Sequence, residues 1–193
     1  RKAAMDRELQ ERLHGAAEES PGAWLVRGMS LHAAAARLDR YVAPVRDDEN
    51  TVSFLLEYCM LLGMSFEALL KGIITMCRVE AGERPPLPSQ CWHHSLARLA
   101  SRPECDFLRF SNEEIGLLAG LSPFIEWGGR YPLPKRASEL VALGHSNVRY
   151  QEELMLWDRL AAVLVDRGWV MKGGPESSGG RRLYMRRVDG TPA

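Results

Sequence analysis

The chain carries no net charge, because 25 lysines and arginines are matched by 25 aspartates and glutamates. That balance removes the global field that draws a protein along nucleic acid or onto an anionic membrane, so any such contact needs a local patch. Close cysteine pairs are missing too. Cys59, Cys77, Cys91 and Cys105 are widely separated, and two of them fall inside an apolar helical pattern, where a free thiol behaves as a small hydrophobe. A reduced, cytoplasmic protein fits this better than a disulfide framework. No signal-peptide pattern is present, and the longest apolar run, around Cys59 to Met64, is too short to span a membrane. No internal repeat is found. The chain opens at Arg1 rather than at methionine, as a fragment or a trimmed product would.

What is present is ordinary globular composition, 46% apolar and 26% charged over 193 residues. One compact domain with room for a small appendage is expected. Arginine heavily outnumbers lysine. The strongest periodicity runs through Val52, Leu55, Cys59, Leu62, Phe66, Leu69, Ile73 and Met76, in alternating steps of three and four. That is a helical stripe. Leu56, Met60, Met64, Leu70 and Ile74 widen it, which predicts a helix apolar nearly all round and central in its bundle. Asp47 and Asp48 suit its start, and Gly82 with Pro85 and Pro86 ends it.

Two helices are predicted before it, Ala3 to Glu19 and Gly22 to Val42, separated by Ser20-Pro21-Gly22. Trp24, Gly28, Leu31, Ala35, Leu38 and Val42 form the inner face of the second. After a proline-rich connection, His94 to Ser101 reads as a short helix stopped by Pro103. Ser111-Asn112-Glu113-Glu114 is a helix-start signature for a helix from Glu113 to about Trp127. Asn147 to Gly168 is the last helix, with Tyr150, Leu154, Trp157, Leu160, Ala161 and Leu164 inward. The expectation is an all-α, up-and-down helical bundle over residues 1–168. Residues 169–193 form a basic, glycine-rich appendage or tail. There Trp169-Val170-Met171 and Leu183-Tyr184-Met185 flank a Gly-Gly-Pro-Glu-Ser-Ser-Gly-Gly stretch, which fits a small β-hairpin or a disordered end.

The most distinctive local feature is Trp127-Gly128-Gly129-Arg130-Tyr131-Pro132. Proline forces Tyr131 out of the helical region, and the paired glycines release the backbone ahead of it. Arg130 is then held at a helix exit, where a cation meets the last carbonyls. Two further blocks precede this one in order, Phe66-Glu67-Ala68-Leu69-Leu70-Lys71-Gly72 and His94-Ser95-Leu96-Ala97-Arg98-Leu99-Ala100. Taken together, the three blocks resemble the HEPN superfamily, helical bundles found beside nucleotidyltransferases, in toxins and in antiviral systems. The resemblance covers roughly Val52 to Pro134. It implies a bundle that commonly dimerises and acts either as a metal-independent ribonuclease or as a nucleotide-binding or inactive partner. The ribonuclease members carry an arginine, four to six residues, then a histidine. Arg7 to His14 and Arg27 to His32 have that spacing, but chance supplies as many matches. Arg27 and His32 would also stand roughly 140° apart around a helix. The chain departs from the ribonuclease pattern.

Each candidate residue has a structural and a functional reading. Arg130 is a clamp on helix carbonyls or on Glu126, or else a phosphate or RNA contact. His94 packs or caps at a helix start, or else acts as a general base or acid beside Arg130, with His93 as the exposed member of the pair. Glu67 and Lys71 are an i, i+4 pair of favourable orientation, partly buried, or Lys71 lines a phosphate pocket. Trp127 and Tyr131 offer stacking surfaces. Arg181, Arg182, Arg186 and Arg187 surround Tyr184 in a basic cluster that is either a solvated strand or a phosphate-backbone contact. Cys91, His93, His94 and Cys105 carry zinc-binding atoms at a spacing no common site uses, so neither metal nor cofactor is expected. The expectation is a nucleotide- or RNA-binding or protein-interaction module in a bacterial defence or toxin–antitoxin setting, homodimeric, with no membrane contact. The alternatives are a ribonuclease using His94 and Arg130, and a purely structural homodimer subunit.

Overall fold

The computed structural model describes residues 20–39, 54–83, 87–128, 150–173 and 183–186. Five α-helices organise them: α1 Pro21–Asp39, α2 Leu55–Glu80, α3 Leu96–Ala100, α4 Asn112–Pro123 and α5 Tyr150–Asp166. Two 3-10 turns, Ser89–Cys91 and Pro103–Leu108, bracket α3. A π-helical turn, Phe124–Gly128, continues α4. Strands β1 Val170–Gly173 and β2 Leu183–Arg186 pair antiparallel, with Val170 opposite Arg186 and Gly173 opposite Leu183. The protein is an all-α helical bundle, and the hairpin is its C-terminal appendage. The predicted first helix, Ala3 to Glu19, and the Asp47-Asp48 helix start lie outside the described residues.

The 26-residue α2 is the axle of the bundle. Cys59, Leu62, Phe66, Leu69, Leu70, Ile73, Ile74 and Met76 are all buried on it, so its apolar stripe faces protein on nearly every side. By length and composition this helix could cross a bilayer, yet 78% of its most apolar window is buried within the fold. The short run from Cys59 to Met64 understated it, because the Glu67 and Lys71 charges beyond that run are outnumbered by apolar neighbours. A core helix shows this burial, since apolar surface removed from water contributes about 25 cal/mol per Å² wherever the covering comes from.

Neighbouring helices approach α2 through small residues. A Cβ on Gly72 would lie 3.0 Å from the Trp24 Cβ and 3.1 Å from Leu164, so α1 and α5 meet there. A Cβ on Gly63 would stand 2.7 Å from Ile125, which brings the π turn against α2. Contacts of Trp24 with Gly72 and of Gly28 with Leu69 make α1 antiparallel to α2. The Glu153–Tyr58, Trp157–Ser65 and Leu164–Gly72 contacts make α5 parallel to it.

Helix ends follow local chemistry. At α4, Ser111 Oγ accepts from the Glu114 N–H while Glu114 Oε2 accepts from the Ser111 N–H, the reciprocal capping box that the sequence suggested. Gly82, at φ +77°, closes α2: its N–H reaches the Val79 carbonyl and the Glu83 N–H reaches that of Arg78. Gly168, at φ +82°, ends α5 in the same way. Pro123 accounts for the π turn, since it has no N–H for the preceding turn and its ring crowds that turn's carbonyl.

Candidate functional site

The central helix carries two acid–base partners where the surrounding stripe is apolar. Glu67 and Lys71, one turn apart, are paired at 2.5 Å with side chains only 12% and 5% exposed. A buried ion pair is maintained only if its remaining donors and acceptors are occupied, and here they are. The other Glu67 oxygen, Oε2, lies 3.0 Å from His94 Nδ1. The Lys71 ammonium stands 5.1 Å from the Trp92 ring centroid and 5.7 Å from that of Trp24, a cation–π position between two indoles. Those indoles lie 6.5 Å apart at 55°.

The loop bearing His94 is pinned from below. The Leu96 N–H, first in α3, donates to Ser122 Oγ, which donates in turn to the Leu118 carbonyl. His94 therefore does not start the helix: it sits two residues ahead of Leu96, and the Ser95 side chain makes no cap. Instead the Ser95 N–H donates to His93 Nδ1 at 3.1 Å. His93 is half-buried rather than the exposed member of the pair. Burial, then the Arg98 and Lys71 charges, lower its pKa from 6.5, against an opposing pull from Glu67.

These partners fix the two imidazoles in opposite tautomers. His93 Nδ1 accepts, so in the neutral ring the proton resides on Nε2. His94 Nδ1 faces the Glu67 carboxylate that also pairs with Lys71, so its proton belongs on Nδ1 and Nε2 is an acceptor. The His94 side chain is 43% exposed. Trp92 is 48% exposed, with its indole N–H on the Leu87 carbonyl. An open indole, one imidazole donor and one imidazole acceptor therefore surround a neutralised lysine. That arrangement can stack a planar ring and exchange hydrogen bonds with its substituents.

Of the residues marked from the sequence, the fold unites Lys71, Glu67 and His94. Arg130, Tyr131, Arg181, Arg182 and Arg187 lie outside the described residues, as do the side chains of Trp127 and Arg186. Trp92 was not marked, and Trp24 was marked only as core. The one available signal was Trp92 adjoining the His93-His94 pair after a proline-rich loop.

A second polar cluster behaves differently. His32 stacks on Trp157 with centroids 4.0 Å apart, and Trp157 donates to Ser65 Oγ at 2.5 Å. Tyr58 donates to the buried Glu153 at 3.4 Å. Burial lowers the His32 pKa, with Asp158 opposing. The cavity beside this cluster, about 20 Å³, is water-sized. Burial, with the Glu153 charge, pushes the Cys59 thiol up to about 12. Cys105 is also pushed up to about 12, chiefly by burial. Neither is a thiolate near neutrality, so neither is a ready nucleophile. A larger hollow of about 460 Å³, between Arg109, Ser111, Leu117, Glu152, Met155 and Arg159, contains no residue of either cluster. Among the described residues no group of three or more His, Cys, Asp or Glu side chains could hold a metal ion.

Comparison with protein-family models, curated proteins and solved structures found no match. The resemblance to the HEPN superfamily stands on its three sequence blocks alone.

Proposed function

We propose that this protein is a HEPN-like nucleotide- or RNA-binding module whose ligand rests on Trp92 beside His93 and His94. The observation that carries the reading is the half-exposed Trp92 indole, kept at the surface next to two imidazoles of complementary hydrogen-bonding character. Large aromatic side chains bury readily, and one left open beside polar groups is a common stacking platform. Lys71 contributes by pairing with Glu67 rather than by meeting the ligand directly, since its side chain is 5% exposed. Arg130, Tyr131 and Trp127 enter the proposal only through the sequence blocks. Homodimerisation and a role in defence or in a toxin–antitoxin pair come from the resemblance, and a cytoplasmic location from the widely spaced cysteines; all belong to the same proposal.

The test is titration of the protein with nucleosides, nucleotides and short single-stranded RNA, followed by tryptophan fluorescence and thermal shift. Saturable quenching that disappears in Trp92→Ala is expected. No response to any of these ligands at low salt would sink the reading.

A second reading is favoured by the Glu67–His94 contact, in which a carboxylate orients an imidazole and leaves Nε2 free as a proton acceptor. That is the requirement for a metal-independent ribonuclease in which a histidine promotes attack by the RNA 2′-hydroxyl. Incubation with RNA in EDTA checks it: cleavage abolished by His94→Ala supports the enzyme, and cleavage unchanged by that substitution removes it.

A further inference from the structure

We infer that the ligand of the Trp92 site is a single nucleotide held by its phosphate, and that His94 takes up one proton as it binds. This rests on the nucleotide-binding reading above and adds the ligand size and a proton linkage.

Hydrogen-bond directions distinguish the two imidazoles. A phosphate has only acceptors to offer once ionised. His93 already meets that need, because its Nδ1 is occupied by the Ser95 N–H and its Nε2 carries the proton in the neutral ring. His94 does not. Its Nδ1 proton is engaged by Glu67, so the Nε2 of this 43% exposed side chain is a lone pair that repels a phosphate oxygen. Adding a proton to Nε2 converts this acceptor into a charged donor without disturbing the Glu67 contact. The proton comes from solvent, and no covalent bond is made or broken.

Charge points the same way. Glu67 and Lys71 cancel, so the buried trio is neutral with neutral His94 and carries one positive charge once His94 is protonated. Among the described residues, His93 and Arg98 on His94's own segment share this charge environment, as does Cys91, which feels the Lys71 charge. Trp24, from α1, is apolar. Arg98 is a fixed cation there, and a phosphate gains a second attractive charge when His94 is protonated; by reciprocal linkage it raises the proton affinity of His94.

Ligand size follows from what surrounds the indole. Trp92 is a single open ring, because its neighbour Trp24 packs inward against Gly72 and Lys71. Lys71, the cation nearest it, is already neutralised. Among the described residues the site thus has one stacking platform and no line of unpaired cations along which a phosphodiester backbone could run. One base and one phosphate satisfy it.

The experiment is calorimetric titration with adenosine 5′-(methyl phosphate), whose single negative charge is constant across the range used, and with adenosine as the phosphate-free control. The ester is expected to bind at least about fivefold more tightly near pH 6 than near pH 8, because only a protonated imidazole offers Nε2 as a donor to its phosphate. Adenosine should change far less. His94→Asn should remove most of the ester's pH dependence, whereas His93→Asn should weaken the ester at both pH values. An octa-adenylate should show a salt dependence no steeper than the ester's. Equal ester affinity at both pH values, or undiminished pH dependence in His94→Asn, overturns the proton linkage even if adenosine binds. A salt slope several times steeper for the octamer overturns the single-nucleotide assignment. No binding of either small ligand fails the nucleotide-binding reading itself.

Discussion

Two tryptophan–histidine arrangements flank the same central helix, and they have opposite fates. In one, Trp157 is buried, stacks on His32 and donates its indole proton to Ser65. In the other, Trp92 stays half-exposed, donates to a loop carbonyl and stands over a lysine whose carboxylate partner holds His94. The residue types are nearly the same. What separates them is covering: α5 lies over the first cluster, while the second sits where a pinned loop meets α2 and no helix of the described residues closes over Trp92. A satisfied, covered indole is architecture; an uncovered one above a polar network is available for recognition.

The sharpest way to break this comparison is to uncouple the ion pair. Glu67→Ala leaves the Lys71 ammonium buried and uncompensated, a change that costs about 3–5 kcal/mol. Urea denaturation should register it, and Glu67→Leu combined with Lys71→Met should restore most of the loss, because two matched apolar side chains need no partner. If the single and double variants were equally unstable, the pair would not be the reason for the defect.

Overpacking the covered side comes next. Gly63→Ala places a methyl 2.7 Å from Ile125 and should lower stability by about 1–3 kcal/mol. Wild-type thermal stability in that variant would mean the π turn moves away freely.

The pH response is smaller and spans both clusters. His32 and His93 have folded-state pKa values below the ordinary 6.5, the first by burial and the second by burial with Arg98 and Lys71. The unfolded chain then binds more protons than the folded one as pH falls. Their contribution is fully present above about 6.5 and is lost as pH drops through the unfolded value toward the folded ones. Urea midpoints should fall between about pH 7.5 and 5.5, and His93→Asn should flatten that slope. An unaltered slope would show that His93 binds its proton equally in the folded and unfolded states.

The smallest stability effect is expected at the open indole. Trp92→Ala should cost little, well under the about 3–5 kcal/mol typical of a buried tryptophan, while abolishing ligand-induced fluorescence quenching. Trp157→Ala should do the reverse. A large stability loss in Trp92→Ala would make the two clusters alike.

Much of the bundle was legible because a long helix with one dominant stripe announces itself through spacing. Leu62, Phe66, Leu69 and Ile73 are read from steps of three and four, and all are buried. The Ser111–Glu114 cap and the Gly82 stop were equally readable, since each depends on a few adjacent residues. The start of α3 was not. His94 and Ser95 resemble a helix start, but the Leu96 N–H is satisfied by Ser122, 26 positions later, a partner no local pattern reveals. The site was half legible for the same reason. Glu67 and Lys71 are neighbours on one helix and could be paired by spacing, whereas Trp24 and Trp92 reach Lys71 from far along the chain.

Amino-acid order alone therefore determined the long central helix, the α4 cap, the Gly82 stop and the identity of the charged pair in the core, because those rest on contacts within one or two turns. Only the packed fold decided which tryptophan stayed open, which histidine met Glu67 and which tautomer each imidazole adopts. Those outcomes depend on burial and on hydrogen-bond partners that become neighbours after α1, α2 and the α3 loop are brought together.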